Sequence, residues 1–218
     1  MSQFVEHRVL GNSFVLSHDR SVFWQEEKAL IVSDLHFGKS GHFRKNGIGI
    51  PQNVFKEDLQ RLFAAIQFHN AAQVIIVGDL FHSRSNSEHD LFLKWRQDLA
   101  ALNFHLIMGN HDILSKQFYE AAALTIHKSQ MQLGNFVFTH DMAGLEVDST
   151  LFYFSGHIHP GIRMSGLARQ AIQVPCFYFN DQYAILPAFG KFTGTVAVPI
   201  SRKDKVFALA ANKVLSIQ

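Results

Sequence analysis

Apolar residues in this chain gather in short, nearly unbroken runs, and through its first two thirds these runs alternate with segments of helical period. The runs are Ala29–Val32, Val74–Val77, Phe104–Met108, Phe136–Phe138 and Leu151–Phe154. Each reads as a strand. Between them, Phe55, Leu59, Leu62, Phe63 and Ile66 recur at helical spacing from Asn53 to Phe68, just after Pro51, and predict a first helix. A second helix is predicted from Ser87, with Asp90 completing a capping-box-like pair and Leu91, Trp95, Leu99 and Leu102 on its buried face. A third follows Asp112 through Leu114, Phe118, Ala122 and Leu124. Ahead of all these, Phe14–Leu16 and Ser21–Trp24 predict an opening hairpin. Beyond Ala143 the pattern is strands alone: Phe177–Phe179, Tyr183–Leu186, Thr195–Ile200 and Lys205–Leu209. The order predicts an α/β fold, β-rich toward its C-terminal part, in a single domain over residues 1–218.

Composition agrees. An apolar fraction of 47% with 17% charged residues is that of a globular chain, and 218 residues suffice for one buried core. Most of the 21 phenylalanines fall in strand-like runs, where core packing is the plain explanation. A net charge of +2 does not by itself require a nucleic-acid partner. The single cysteine, Cys176, excludes an internal disulfide framework and reads as a buried strand residue. No apolar run reaches membrane-span length, and the first residues lack a signal peptide's apolar region. A cytoplasmic location is the expectation.

Every one of the five ligand-bearing runs is followed by a residue able to hold a divalent cation: Asp34 and His36, Asp79, Asn110, His140, and His157 and His159. Oxygen and nitrogen donors without thiolate suit Mn, Fe, Zn or Ni. Each piece alone has a plainer reading. Asp-x-His occurs by chance, Gly109-Asn-His-Asp can be a turn, and His140 can be a hydrogen-bonded core histidine. What carries weight is all five in sequence, each beyond the end of an apolar strand, where open α/β sheets collect their ligands. Seven donors exceed one four-coordinate ion, so two metals sharing a ligand are expected.

In that order and spacing the motifs closely resemble the calcineurin-like metallophosphoesterases, over about residues 29 to 160. The resemblance implies a β-sandwich flanked by helices, a four-layer αββα arrangement with two metals at one edge. It implies that Asp34, His36 and His159 bind one ion, that Asn110, His140 and His157 bind the other, and that Asp79 bridges them. A water or hydroxide between the ions would then attack phosphorus in line. His111 is the candidate to stabilise the transition state or protonate the leaving oxygen. Asp112 would either orient the His111 imidazole or cap the following helix.

Narrower features point further. Gly78-Asp-Leu-Phe-His82 is similar to the superfamily's repair nucleases, where commoner phosphatases often carry Asp at the position of His82. The segments Asp34–Pro51, Gly156–Pro160, Val174–Phe177 and Leu186–Gly194 resemble ligase-associated DNA-damage-response endonucleases. That likeness implies a Mn-dependent phosphodiesterase on DNA, acting with a DNA ligase, a helicase and an exonuclease-like protein. Lys39, Arg44 and Arg84 follow metal-bearing loops and could contact phosphates, with solvated surface as the plain alternative. His82 could support Asp79 or reach substrate. Gly190 and Gly194 suggest a loop with unusual backbone angles. A phosphodiesterase for small nucleotides and a non-catalytic scaffold are the alternative readings.

Overall fold

The computed structural model describes residues 2–38, 54–82, 88–165 and 171–217. Two sheets face each other. The first begins as an antiparallel meander, β1 (Phe4–Val9), β2 (Asn12–Ser17), β3 (Val22–Trp24) and β4 (Ala29–Ser33). It continues as parallel strands β5 (Gln73–Val77), β6 (Asn103–Ile107) and β7 (Leu124–His127). The crossovers are helices α1 (Val54–His69), α2 (Glu88–Asp98) and α3 (Lys116–Ala121). A parallel pair needs such a crossover, whereas the antiparallel strands are joined by tight turns.

The second sheet opens with the hairpin β8 (Gln130–Leu133) and β9 (Phe136–Thr139). Beside β9 and parallel to it runs β10 (Phe152–Ser155), followed across the sheet by β13 (Tyr183–Ile185), β12 (Ala171–Phe179), β11 (Pro160–Ser165) and β14 (Val196–Ala197). A further hairpin, β15 (Lys205–Ala210) with β16 (Lys213–Ser216), attaches to β12.

Alternation along the strands divides the core in two. Leu30, Val32, Val74, Ile76, Phe104 and Leu106 face the helices and meet Leu62, Ile66 and Phe92. Their neighbours Ile31, Ile75, Val77 and Ile107 face the second sheet and meet its phenylalanines, including Phe136, Phe138, Phe154 and Phe177. Each of those buried rings is worth roughly 1.5–3 kcal/mol of transfer free energy. The unbroken apolar runs are thus strands, as expected, and the structure covers them on both faces.

Several boundaries differ from the sequence expectation. Strand β1 has no clear apolar alternation and gave no signal. Ser87 lies outside the described residues, and the buried face of α2 is Glu88, Phe92 and Arg96, with Leu99 just beyond; Leu91 is 42% exposed. Trp95 and Leu102 pack against the same core as expected, so only Leu91 departs from the expected face, and Arg96 turns inward beside it. It donates to the carbonyls of Leu99 (2.9 Å) and Ala122 (3.1 Å) and lies 3.9 Å over the Phe104 ring. Helix α3 is short because Ser115 caps it, accepting from Phe118 N at 3.2 Å, and Leu124 already belongs to β7. The strand expected over Thr195–Ile200 is reduced to Val196–Ala197.

Candidate metal centre

All seven expected ligands meet where β4, β5, β6, β9 and β10 end. Asp34 Oδ1 lies 3.1 Å from His159 Nε2 and 3.9 Å from His36 Nε2, and the two imidazole nitrogens are 3.2 Å apart. On the other side, His140 Nε2 lies 3.1 Å from Asn110 Oδ1 and 3.2 Å from His157 Nδ1. Asp79 stands between the groups. Its Oδ2 is 3.8 Å from His36 Nε2 and its Oδ1 is 3.5 Å from His140 Nε2. Asp34, Asp79 and His140 also offer atoms within 4.8 Å of one another, so Asp34 too lies close to both groups. Donors bonded to one ion at about 2.0–2.2 Å stand roughly 3–3.5 Å apart, and His159 with Asp34 and His36, and His140 with Asn110 and His157, are spaced so, while Asp34 and His36 stand 3.9 Å apart.

Local backbone explains how five strand ends converge. Asp34 (φ 50°), His36 (51°), Asp79 (51°), His157 (65°) and His159 (51°) all occupy the left-handed region that non-glycine residues avoid. Such strain persists where the surroundings over-determine it and is concentrated at functional sites. Glycines beside the ligands provide room. A Cβ on Gly109 would overlap Asp79 Oδ1, and one on Gly156 would overlap Ser33 Oγ and Asp34 Oδ2. The motif glycine before Asn110 and that before His157 are therefore required by close approach, not by a turn's positive φ.

Hydrogen bonds fix the ligands' orientation. His140 Nδ1 donates to the Val77 carbonyl (3.2 Å), which leaves Nε2 toward the cluster. Asp34 Oδ2 is held by the Ser33 hydroxyl and by His157 N (3.0 Å), while buried Asp34 Oδ1 has no well-formed hydrogen bond despite the imidazoles facing it. Burial pushes the Asp34 carboxyl up, but His159, His140 and Ser33 together hold it below its ordinary value. A carboxylate facing imidazole nitrogens in this way fits a cation. Asn110 and His157 are exposed and His159 half-buried, so the centre opens to solvent on that side.

The His111 and His82 imidazoles stand beside the clusters, with ring centroids 4.7 Å apart. His111 lies 5.5 Å and His82 5.6 Å from the His36 ring. The main-chain N–H of His111 donates to Asp79 Oδ1 at 2.9 Å. Asp112 does neither of the things expected of it. Its Oδ1 accepts from Leu80 N (2.9 Å) and its Oδ2 from Gly109 N (2.9 Å), tying the loop after β5 to the loop after β6. Burial pushes this carboxyl up to about 6, opposed by the N–H of Gly109 and reinforced by Asp79. Lys39, Arg44 and Arg84 lie outside the described residues.

The segment Leu186–Gly194 supports the centre from behind. Phe189 N donates to the Ser33 carbonyl (2.7 Å) and Gly190 N to the Asp34 carbonyl (3.2 Å). Arg20 Nη1 donates to the carbonyls of Ala188 (3.1 Å) and Gly190 (2.9 Å), and Arg61 to that of Phe189. Neither Gly190 nor Gly194 has a positive φ. Gly190 is needed for space instead, since its Cβ would overlap the Leu35 carbonyl, and Gly194 has no such constraint. Sequence reasoning missed Ser33, Arg20 and Arg61, which carry no motif of their own.

Residues 28–160 match the calcineurin-like phosphoesterase family. Among solved structures the chain is similar in fold to the nuclease MPE of Pseudomonas putida, with 24% identity and a TM-score of 0.82 over 98% of this chain and 100% of that one. It is also similar to a protein of unknown function from Aquifex aeolicus, at 16% identity and a TM-score of 0.45 over 60% of this chain and 78% of that one. No curated protein sequence matches it. With that family's pattern covering more than half its length and the expected donors gathered at one edge, the chain belongs to the calcineurin-like phosphoesterases and is a metal-dependent phosphoesterase.

Proposed function

We propose that this protein is a two-metal phosphodiesterase that cuts DNA as an endonuclease in ligase-associated repair. The observation that carries the two-metal part is Asp79, whose carboxylate oxygens face opposite ligand clusters. Asp34, His36 and His159 would hold one ion, and Asn110, His140 and His157 the other. Two bound divalent ions activate water and neutralise phosphoryl oxygens during in-line displacement. Mn is the proposed metal, by the resemblance of the flanking segments.

The chain's own groups supply the rest. The loops tied together by Asp112 keep Asp79 and Asn110 in register. His111, anchored through its main-chain N–H on Asp79, would carry a proton for the leaving oxygen, with the His82 ring beside it. A nucleic-acid substrate is supported by a structural neighbour that is a nuclease, and DNA in particular by the likeness of Gly78–His82 to repair nucleases. A DNA ligase, a helicase and an exonuclease-like protein are the proposed partners, in the cytoplasm. No helix among the described residues is long and apolar enough to cross a membrane.

The decisive experiment strips the protein of metal and restores Mn, Fe, Zn or Ni singly. Single-stranded DNA, duplex DNA, cyclic nucleotides and bis-p-nitrophenyl phosphate are then offered. Metal-dependent cleavage of DNA and of the small diester is expected, strongest with Mn. Turnover of cyclic nucleotides with none of DNA would transfer the activity to small nucleotides. No cleavage of any diester would overturn the proposal.

A further inference from the structure

A cavity of about 700 Å³ lies behind the segment that supports Asp34, and none of the metal ligands lines it. Its walls come from the turn after β2, from β1, from the second half of α1 and from the β15–β16 turn. Arg20, Arg61 and Lys191 face it, with His18 and His69; among the described residues Asp19 is the one acid in the lining. Oδ1 of Asp19 accepts from the main-chain N–H (3.0 Å) and hydroxyl (2.5 Å) of Ser21, and its carboxylate also acts on Arg61. The acids that pair with Arg61 and Lys191, Asp58 (2.8 Å) and Glu57 (3.0 Å), are not in the lining.

Arg20 is the informative residue. It makes no ion pair with any described carboxylate, and only its Nη1 is committed, to the Ala188 and Gly190 carbonyls. Its Nε and Nη2 hydrogen-bond to no described residue, nor are they shut off from solvent. Burial and the neighbouring Arg61 lower its pKa to about 10, so it stays charged at neutral pH in a place that disfavours charge. A half-buried guanidinium with two uncommitted nitrogens, no described carboxylate within ion-pair distance and Asp58 acting on it only at longer range is suited to a bidentate oxyanion.

Aromatic rings line the same cavity. Phe68, 67% exposed, stacks on Phe4 with centroids 4.9 Å apart and planes within 8°. His69 stacks in turn on Phe23 at 4.5 Å. Cations beside an exposed aromatic face are what single-stranded nucleic acid and nucleotides require, the phosphate on one and the base on the other. We infer that this cavity binds a nucleoside-phosphate unit away from the metal centre, its phosphate on Arg20 and Lys191 and its base on the Phe68–Phe4 stack. The unit is a free nucleotide or part of a nucleic-acid strand. The inference does not depend on the proposed phosphodiesterase activity, because it is read by binding.

The test is calorimetric titration of the full chain, Mn-loaded and again after chelation, with thymidine 5′-monophosphate, thymidine, inorganic phosphate and a short oligothymidylate. The cavity requires mononucleotide binding that survives chelation and exceeds that of thymidine or phosphate. Phe68→Ala is expected to weaken it about tenfold through loss of the stack, while hydrolysis of bis-p-nitrophenyl phosphate is unchanged. Arg20→Gln, verified as folded by circular dichroism, is expected to weaken it at least as much, and Lys191→Ala less. An oligomer bound far more tightly than the mononucleotide identifies a strand as the ligand, and equal affinities identify the free nucleotide. Binding that vanishes with the metal, or that is unaltered in both Phe68→Ala and Arg20→Gln, overturns the inference.

Discussion

His111 holds Asp79 with its backbone, and the chemistry proposed for its side chain can be tested separately from that contact. His111→Ala keeps the N–H on Asp79 Oδ1 and removes only the imidazole. Metal content, measured by elemental analysis, should be unchanged. Turnover of a diester with a poor leaving group should fall about 100-fold or more, the usual worth of a positioned acid, and less for p-nitrophenolate, which leaves unaided. Equal losses on both substrates would remove the proton-donor role. Gly156→Ala tests the space beside Asp34. Its methyl would push on Ser33 and Asp34, so an overpacking cost of about 1–3 kcal/mol is expected in denaturant unfolding, with a loss of metal content.

Among the elements, α2 carries the sharpest prediction because an arginine takes a core position. Arg96→Met keeps the stem's apolar packing but removes the guanidinium donors to the carbonyls of Ala122 and Leu99, the latter keeping only Leu102 N–H. Unfolding free energy should fall by about 2–4 kcal/mol with phosphodiester activity retained at low temperature. That arginine also marks what the chain does not disclose. Period and burial made β4, β5, β6, β9, β10 and α1 legible, since uninterrupted apolar runs leave few other arrangements. The ligands were legible because each follows such a run directly. Arg96 was not, because nothing local distinguishes an arginine that caps buried carbonyls from one in water. The same holds for Arg20 and Arg61, whose partners Ala188 to Gly190 lie well over a hundred residues away. Asp112 misled for a related reason: adjacency to His111 suggested a pair, whereas its carboxylate is used by the backbone across two loops.

On the scale of the whole molecule, the centre is assembled from two sheets that share a core. The first contributes Asp34, His36, Asp79 and Asn110, and the second His140, His157 and His159. The same two sheets meet through aromatic rings, among them Phe14 of β2 against Phe136 (5.2 Å) and Phe154 (5.0 Å). A cation bound from both sides therefore acts on the same joint as the phenylalanines. Mn at about a hundred times its dissociation constant should add roughly 2.7 kcal/mol to unfolding free energy. In hydrogen exchange the added protection should appear in the central strands of both sheets. Phe14→Leu, which alters no ligand, should lower the melting temperature, and saturating Mn should recover much of the loss. Protection confined to the ligand loops would show that the sheets stay joined without the ion.

Seen as a joint closed partly by ions, the centre ties the protein's persistence to its supply of metal. Chelated molecules open more often, and a protease that cuts only opened chains removes them first. Scarcity of the cation then lowers the number of molecules as well as the activity of each, and the two effects multiply.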